Sequence, residues 1–225
     1  MFAFRGSENP VTRKLIATAL AVGLAMTAAG CNVDPIANKP KSVYVVGDSI
    51  VASAAWNNDA RFAVPAPEGY SVKVDAFMGQ TVADHLAGVR KYASQNVPER
   101  LVIELGTNDA RDGGWTQSDA DAYRSLVNSA PDRTCITFVL PAAGPGASAS
   151  ERTQIAAASK AIRQIAAGER RYQVADFADF HAAHPDLIQP DGIHLRTDGA
   201  NAQAVKDTYR DWLWSFIAKC PGAPA

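Results

Sequence analysis

The chain has 225 residues, 47% of them hydrophobic and 20% charged, with a formal net charge of −1. That length carries one sizeable core and composition of this kind is globular, which excludes a disordered or fibrous chain. The near-neutral charge gives no basic face for a phosphate backbone, so nucleic acid is not an expected partner.

The first thirty residues do not read as part of the fold. Arg5, Arg13 and Lys14 form a basic start, and Leu15 to Gly30 is apolar or small throughout. A basic start, an apolar middle and small residues before a cut make a secretory signal. The apolar stretch of about 16 residues is also short of the roughly 20 that a spanning helix needs. "AAGC" at Ala28–Cys31 resembles the lipobox of bacterial lipoproteins, in which the cysteine is acylated after cleavage. The family usually has Leu three before the cysteine, where this chain has Ala28. The expectation is a signal peptide over 1–30, a lipidated Cys31 with a tether to residue 41, a domain over 42–220 and a tail over 221–225. Export to the cell envelope with a lipid anchor follows, with plain secretion as the alternative.

In the mature chain, short β-branched runs alternate with longer helical patterns. Val43–Val46 is a nearly continuous apolar run, as in a strand buried on both faces. Ser71–Phe77 alternates and is expected nearer an edge. Arg100–Leu105, Thr134–Leu140 and Tyr172–Asp176 are the further strands. Helices are predicted near 81–95, 117–129 and 150–167, with a last amphipathic one over about 197–218. Such alternation implies a parallel sheet with helices on both faces, a doubly wound three-layer α/β/α domain. Sites in such folds lie beyond the C-terminal ends of the strands.

The polar residues are placed accordingly. Ser49 follows strand one, Gly79 strand two and Asn108 strand three, while Asp191 and His194 lie in the loop before the last helix. A serine nucleophile needs a base within hydrogen-bond reach, and the base needs a group that holds its tautomer. It also needs donors aimed at the developing oxyanion. Ser49 can attack, His194 can take its proton and Asp191 can hold the imidazole. The N–H groups of Ser49 and Gly79 and the Asn108 amide can form the oxyanion hole. Activity should rise with pH as His194 loses its proton.

"GDSI" at Gly47–Ile50, the glycine of "FMGQT", "GTND" at Gly106–Asp109 and "DGIH" at Asp191–His194 resemble the four signature blocks of the SGNH (GDSL-like) hydrolases, in the family's order. The resemblance spans 41 to about 218. It implies a flavodoxin-like parallel five-stranded sheet and hydrolysis of esters or thioesters without a metal or other cofactor. It puts Ser49 as nucleophile, Gly79 and Asn108 in the oxyanion hole, and Asp191 and His194 as the remaining triad. Asp48 and Asp109 match positions that support loops. The second block rests on a single glycine. Each motif alone has a plainer reading: Asp48 or Ser49 can cap a helix, Gly79 and Asn108 can be turn residues, and Asp191–His194 can be a surface turn. Their conjunction at successive strand ends favours the chemistry.

Other features compete. His181 and His184 are spaced as helical metal ligands, but Pro185 ends any helix there and no third ligand is evident. A solvated face is the expectation for 175–186, and no metal is expected. His181 or His184 can also be considered as the base, without the Asp-x-x-His context of His194. His85 is read as structural or exposed. Trp115 either walls an acyl pocket or packs on the surface, and Pro141–Ser150 either rims the cleft or only connects. Cys135 and Cys220 are either a disulfide tying the last helix to a central strand or two free thiols. The reading is a serine esterase for small acyl esters, with acetylated envelope carbohydrate as partner. A lipase, a thioesterase or an acyltransferase would share every residue named. A non-catalytic binding lipoprotein is the reading from another class.

Overall fold

A computed structural model describes residues 41–55 and 67–220. The expected signal peptide, Cys31 and most of the expected tether, with the tail at 221–225, lie outside the described residues.

Five strands, β1 (Lys41–Gly47), β2 (Tyr70–Ala76), β3 (Arg100–Glu104), β4 (Cys135–Leu140) and β5 (Tyr172–Asp176), form one sheet in the order β2-β1-β3-β4-β5. All four pairings are parallel. The helices are α1 (Ser49–Ala55), α2 (Val82–Gln95), α3 (Thr107–Arg111), α4 (Gln117–Val127), α5 (Ala149–Ala166), α6 (Phe177–Ala183) and α7 (Ala202–Ile217), with a 3-10 turn at Pro185–Leu187. This is the three-layer α/β/α domain expected, and β2 is an edge strand, as its alternation implied.

The strand period of two splits the core into two layers. Val43 and Val45 of β1, Val102 of β3 and Val139 of β4 face α1, α6 and α7. Tyr44, Val46, Leu101, Ile103, Ile136 and Phe138 face α2, α4 and α5. The strands read as continuous apolar runs because both faces are covered. Thr116 and Ser148 cap α4 and α5, each paired reciprocally with an acidic residue three positions on. These capping boxes satisfy N–H groups that a helix start leaves open.

Two expectations need correction. The last helix starts at Ala202, not near 197, because Asp198-Gly199 makes a turn first. The segment 175–186 is solvated on one side only, where Asp179 and Asp186 are exposed. Phe177 and Phe180 sit three apart on one side of α6 and are buried against Tyr209 and Trp212 of α7.

Cys135, at the start of β4, meets Cys220, just beyond α7, as a disulfide with the Cα atoms 6.1 Å apart. The same corner is tied by the Arg100 side chain, which donates to the carbonyl of Ile217 at 2.9 Å. Both contacts lie at the N-terminal ends of the strands, away from the loops that gather the polar residues.

Candidate active site

The turn from β1 into α1 is short and tightly built. A Cβ on Gly47 would stand 2.6 Å from Val51 Cγ2, so only glycine lets the helix begin at once. Asp48 caps this helix, its Oδ1 accepting the N–H of Ile50 at 3.0 Å. That leaves Ser49 free of the capping role. Its side chain, on a residue only 3% exposed, instead stands with Oγ 2.9 Å from His194 Nε2.

His194 is delivered by the loop that follows α6. Ile188 and Leu195 pair as an antiparallel bridge, and Gln189 donates its N–H to the His194 carbonyl at 2.7 Å. Ile188, Ile193 and Leu195 are buried, so the loop is anchored on both sides of the imidazole. His194 Nδ1 lies 2.6 Å from Asp191 Oδ2, and Asp191 Oδ1 accepts the N–H groups of Ile193 and His194 at 2.9 and 3.1 Å. Burial alone would raise the Asp191 carboxyl. The bonds from the His194 ring and the two N–H groups outweigh it and hold Asp191 below its ordinary value. Asp191 therefore stays ionised beside the ring and favours the tautomer that leaves Nε2 as acceptor toward Ser49.

Asn108 lies in the first turn of α3, after β3. Its amide donates to the Gln80 carbonyl at 2.9 Å and reaches toward Asp48 Oδ2 at 3.4 Å. These contacts join the loops after β1, β2 and β3 around one point. Gly79 precedes Gln80 with φ +75°, a turn conformation that suits glycine. Asp109 secures the same loop from behind, its two oxygens accepting the Val82 N–H at 3.1 and 3.2 Å. Burial pushes the Asp109 carboxyl up to about 6 despite that bond. Phe77 and Met78, beside Gly79, are 46% and 65% exposed and give this edge an apolar lip.

The rival residues lie elsewhere. His181 sits edge-on to Phe177 at 4.4 Å, and His184 lies 4.8 Å from Phe180, so both rings are occupied with packing. His85 is buried on α2. Trp115 packs against Gly106 and Tyr123 and supports the turn that carries Asn108. The Pro141–Ser150 segment touches the histidine loop, Gly144 donating to the Gly192 carbonyl at 2.6 Å. A cavity of about 330 Å3 lies between those two loops, lined in part by His181, Gln189 and Arg196. Sequence reasoning missed Glu104, which lies beneath Asp48 and accepts its N–H at 3.4 Å. The signal was present: a carboxylate directly after the apolar run Leu101–Ile103, in "RLVIEL".

A three-layer α/β domain that brings serine, histidine and aspartate into one chain of contacts defines a recognisable class. The model of the GDSL-like lipase/acylhydrolase family matches residues 45–202, and the chain belongs to that family. It is 25% identical over 169 residues to YrhL of Bacillus subtilis (strain 168), provisionally named a peptidoglycan O-acetyltransferase. That match covers 73% of this chain but only 23% of the length of the relative. Among solved structures, the chain resembles the C-terminal catalytic domain of peptidoglycan O-acetyltransferase A of Streptococcus pneumoniae, at TM-score 0.63 and 20% identity, over 81% of this chain and 95% of that one. It also resembles the acetylxylan esterase Axe2 of Geobacillus stearothermophilus, at TM-score 0.63 and 16% identity, over 80% and 95%. At these identities the structural likeness speaks for the fold.

Proposed function

We propose that the protein is a serine esterase acting on small acyl esters, with O-acetylated carbohydrate of the cell envelope as its substrate class. The observation that carries the proposal is the contact chain Ser49–His194–Asp191, with gaps of 2.9 and 2.6 Å. Ser49 Oγ attacks the acyl carbon while its proton passes to His194 Nε2. The imidazolium formed is stabilised by Asp191 and returns the proton to the leaving sugar oxygen. The N–H groups of Ser49 and Gly79 receive the oxyanion, and the Asn108 amide joins them with the N–H that otherwise makes only a long 3.4 Å contact to Asp48 Oδ2. Water, activated by the same histidine, then releases the acyl group from Ser49.

The peptidoglycan O-acetyltransferases among the similar proteins support a second reading, in which a glycan hydroxyl replaces that water. Both readings share the acyl-enzyme and differ only in the acceptor. The membrane enters through the anchor at Cys31; among the described residues no helix is long and apolar enough to cross a membrane.

The test is hydrolysis of p-nitrophenyl acetate and longer esters by the wild type beside Ser49→Ala, with O-acetylated peptidoglycan and acetylated xylan as polymeric substrates. Serine-dependent turnover that falls with acyl length supports the esterase. Acetyl transfer to an added glycan oligomer identifies the transferase. Full turnover in Ser49→Ala refutes both.

A further inference from the structure

Glu104 closes β3 and is 1% exposed. A carboxylate at that depth is costly unless it is paired or neutral. Its neighbour across the β1–α1 turn is Asp48, which is 0% exposed. Two carboxyls in one dry site do not both ionise readily. Burial, and then the Asp48 charge, push the Glu104 carboxyl well above its ordinary value. Burial raises Asp48 too, while the Ile50 N–H, the bond from Glu104 and the nearby His194 hold it back.

The hydrogen bonds say which partner keeps the charge. Asp48 accepts a good bond from Ile50 at 3.0 Å and faces the Asn108 amide at 3.4 Å. Glu104 Oε2 has only long contacts, 3.4 Å each, from the N–H groups of Asp48 and Val51, and it shares the Asp48 N–H with the Glu104 main-chain carbonyl at 3.2 Å. Glu104 Oε1 is buried with no partner among the described residues. An unpaired carboxylate oxygen costs more than an O–H in that position. Among the described residues, the other titratable groups around the pair are Tyr209 of α7, Tyr123 of α4, Asp109 of α3 and His194. None of them is a lysine or arginine that would offset a second negative charge.

The two N–H groups that Glu104 faces belong to residues on either side of Ser49. A Cβ on Gly47 would lie 3.3 Å from the same oxygen, so the turn is folded down onto Glu104. We infer that Glu104 is a positioning residue: a neutral carboxylic acid facing Asp48, its side chain holds the first turn of α1 through the Val51 N–H and, together with its own main-chain carbonyl, through the Asp48 N–H, and so sets where Ser49 stands. This rests on the reading of Ser49 as nucleophile. A displacement of the nucleophile by about 1 Å is enough to lower the rate by about 100-fold.

The experiment uses the full chain as wild type, Glu104→Gln and Glu104→Leu. It measures labelling of Ser49 by a fluorophosphonate, kcat and KM for p-nitrophenyl acetate, and the melting curve. Glutamine keeps the shape and the donor of a neutral acid, so Glu104→Gln should label and turn over within about threefold of wild type. Leucine keeps the volume without polar atoms, so Glu104→Leu should lose about 100-fold in kcat and labelling rate, with KM within about threefold. The infrared difference between wild type and Glu104→Gln at neutral pH should contain the C=O stretch of a protonated carboxyl. A glutamine variant as impaired as the leucine one, a leucine variant labelling at the wild-type rate, or the lack of that infrared band each overturns the inference. Should Glu104→Leu fail to fold, the infrared band and the glutamine variant still decide. A wild type that is not labelled at Ser49 refutes the nucleophile reading and leaves the infrared prediction to be judged on its own.

Discussion

Ser49 Oγ and His194 Nε2 stand 2.9 Å apart although 145 positions separate them in the chain. The parallel sheet makes this meeting possible. Ser49 starts the helix after β1 and His194 lies beyond β5, so both project from the C-terminal edge. The two strands are not neighbours, since β3 and β4 lie between them in the sheet. The loop from α6 must therefore reach back over the sheet edge, and its buried isoleucines and leucine fix it there.

Asp191 is expected to act through His194 rather than on the substrate. Asp191→Asn should leave the loop in place, since an amide oxygen can still accept the N–H groups of Ile193 and His194. It would favour the wrong imidazole tautomer, and kcat should fall by about 10³- to 10⁴-fold. Steady-state kinetics on p-nitrophenyl acetate, with a melting curve to show that the fold persists, check this. A loss below tenfold would remove Asp191 from the mechanism.

Much of this was legible in the sequence because it follows from local rules. Apolar runs such as Val43–Val46 announce buried strands, and β5 spans the residues the pattern assigned. Ser49, Asn108, Asp191 and His194 were legible as motifs at strand ends. What was hidden depends on tertiary burial. Phe177 and Phe180 lie in a segment whose polar residues read as solvated, and only the packing of α7 shows why they are inside. Glu104 carries no local sign of its partner, because Asp48 is 56 positions away. Whether Cys135 and Cys220 meet is likewise a matter of topology, which spacing does not encode.

The disulfide should stabilise the fold without touching the chemistry. It closes a loop of 85 residues, so removing it should cost about 2–4 kcal/mol, mostly through the unfolded chain. The double variant Cys135→Ala/Cys220→Ala tests this by urea denaturation. Cys135 begins β4, at the sheet end opposite Ser49, so fluorophosphonate labelling in native buffer should match wild type. Equal stability of variant and wild type would show that the bond contributes nothing.

Asp109 should destabilise the protein at neutral pH while organising its site. Burial raises its folded value from 3.8 to about 6, so the fold favours the protonated form. That contribution is full below the unfolded value and is lost as pH rises through about 6. Asparagine removes the titration and still accepts the Val82 N–H. Relative to wild type, Asp109→Asn should gain stability between pH 4 and pH 7, on the order of 2 kcal/mol. Melting curves for the two proteins across that range, compared as a difference, isolate this group from Asp191, whose shift has the opposite sign. A flat difference would mean that Asp109 is not displaced from its ordinary value.

Gly47→Ala joins stability to chemistry most directly. The new methyl group would sit 2.6 Å from Val51 Cγ2 and 3.3 Å from Glu104 Oε2. Val51 is buried and cannot retreat, so α1 must move away from the end of β1. Such overpacking costs about 1–3 kcal/mol. The movement carries Ser49 with it, so the contact with His194 should lengthen as well. Both the melting temperature and the labelling rate of Ser49 should therefore fall in this one variant. A variant that loses stability but labels at the wild-type rate would show that α1 adjusts without shifting Ser49. The close approach at Gly47 would then serve packing alone.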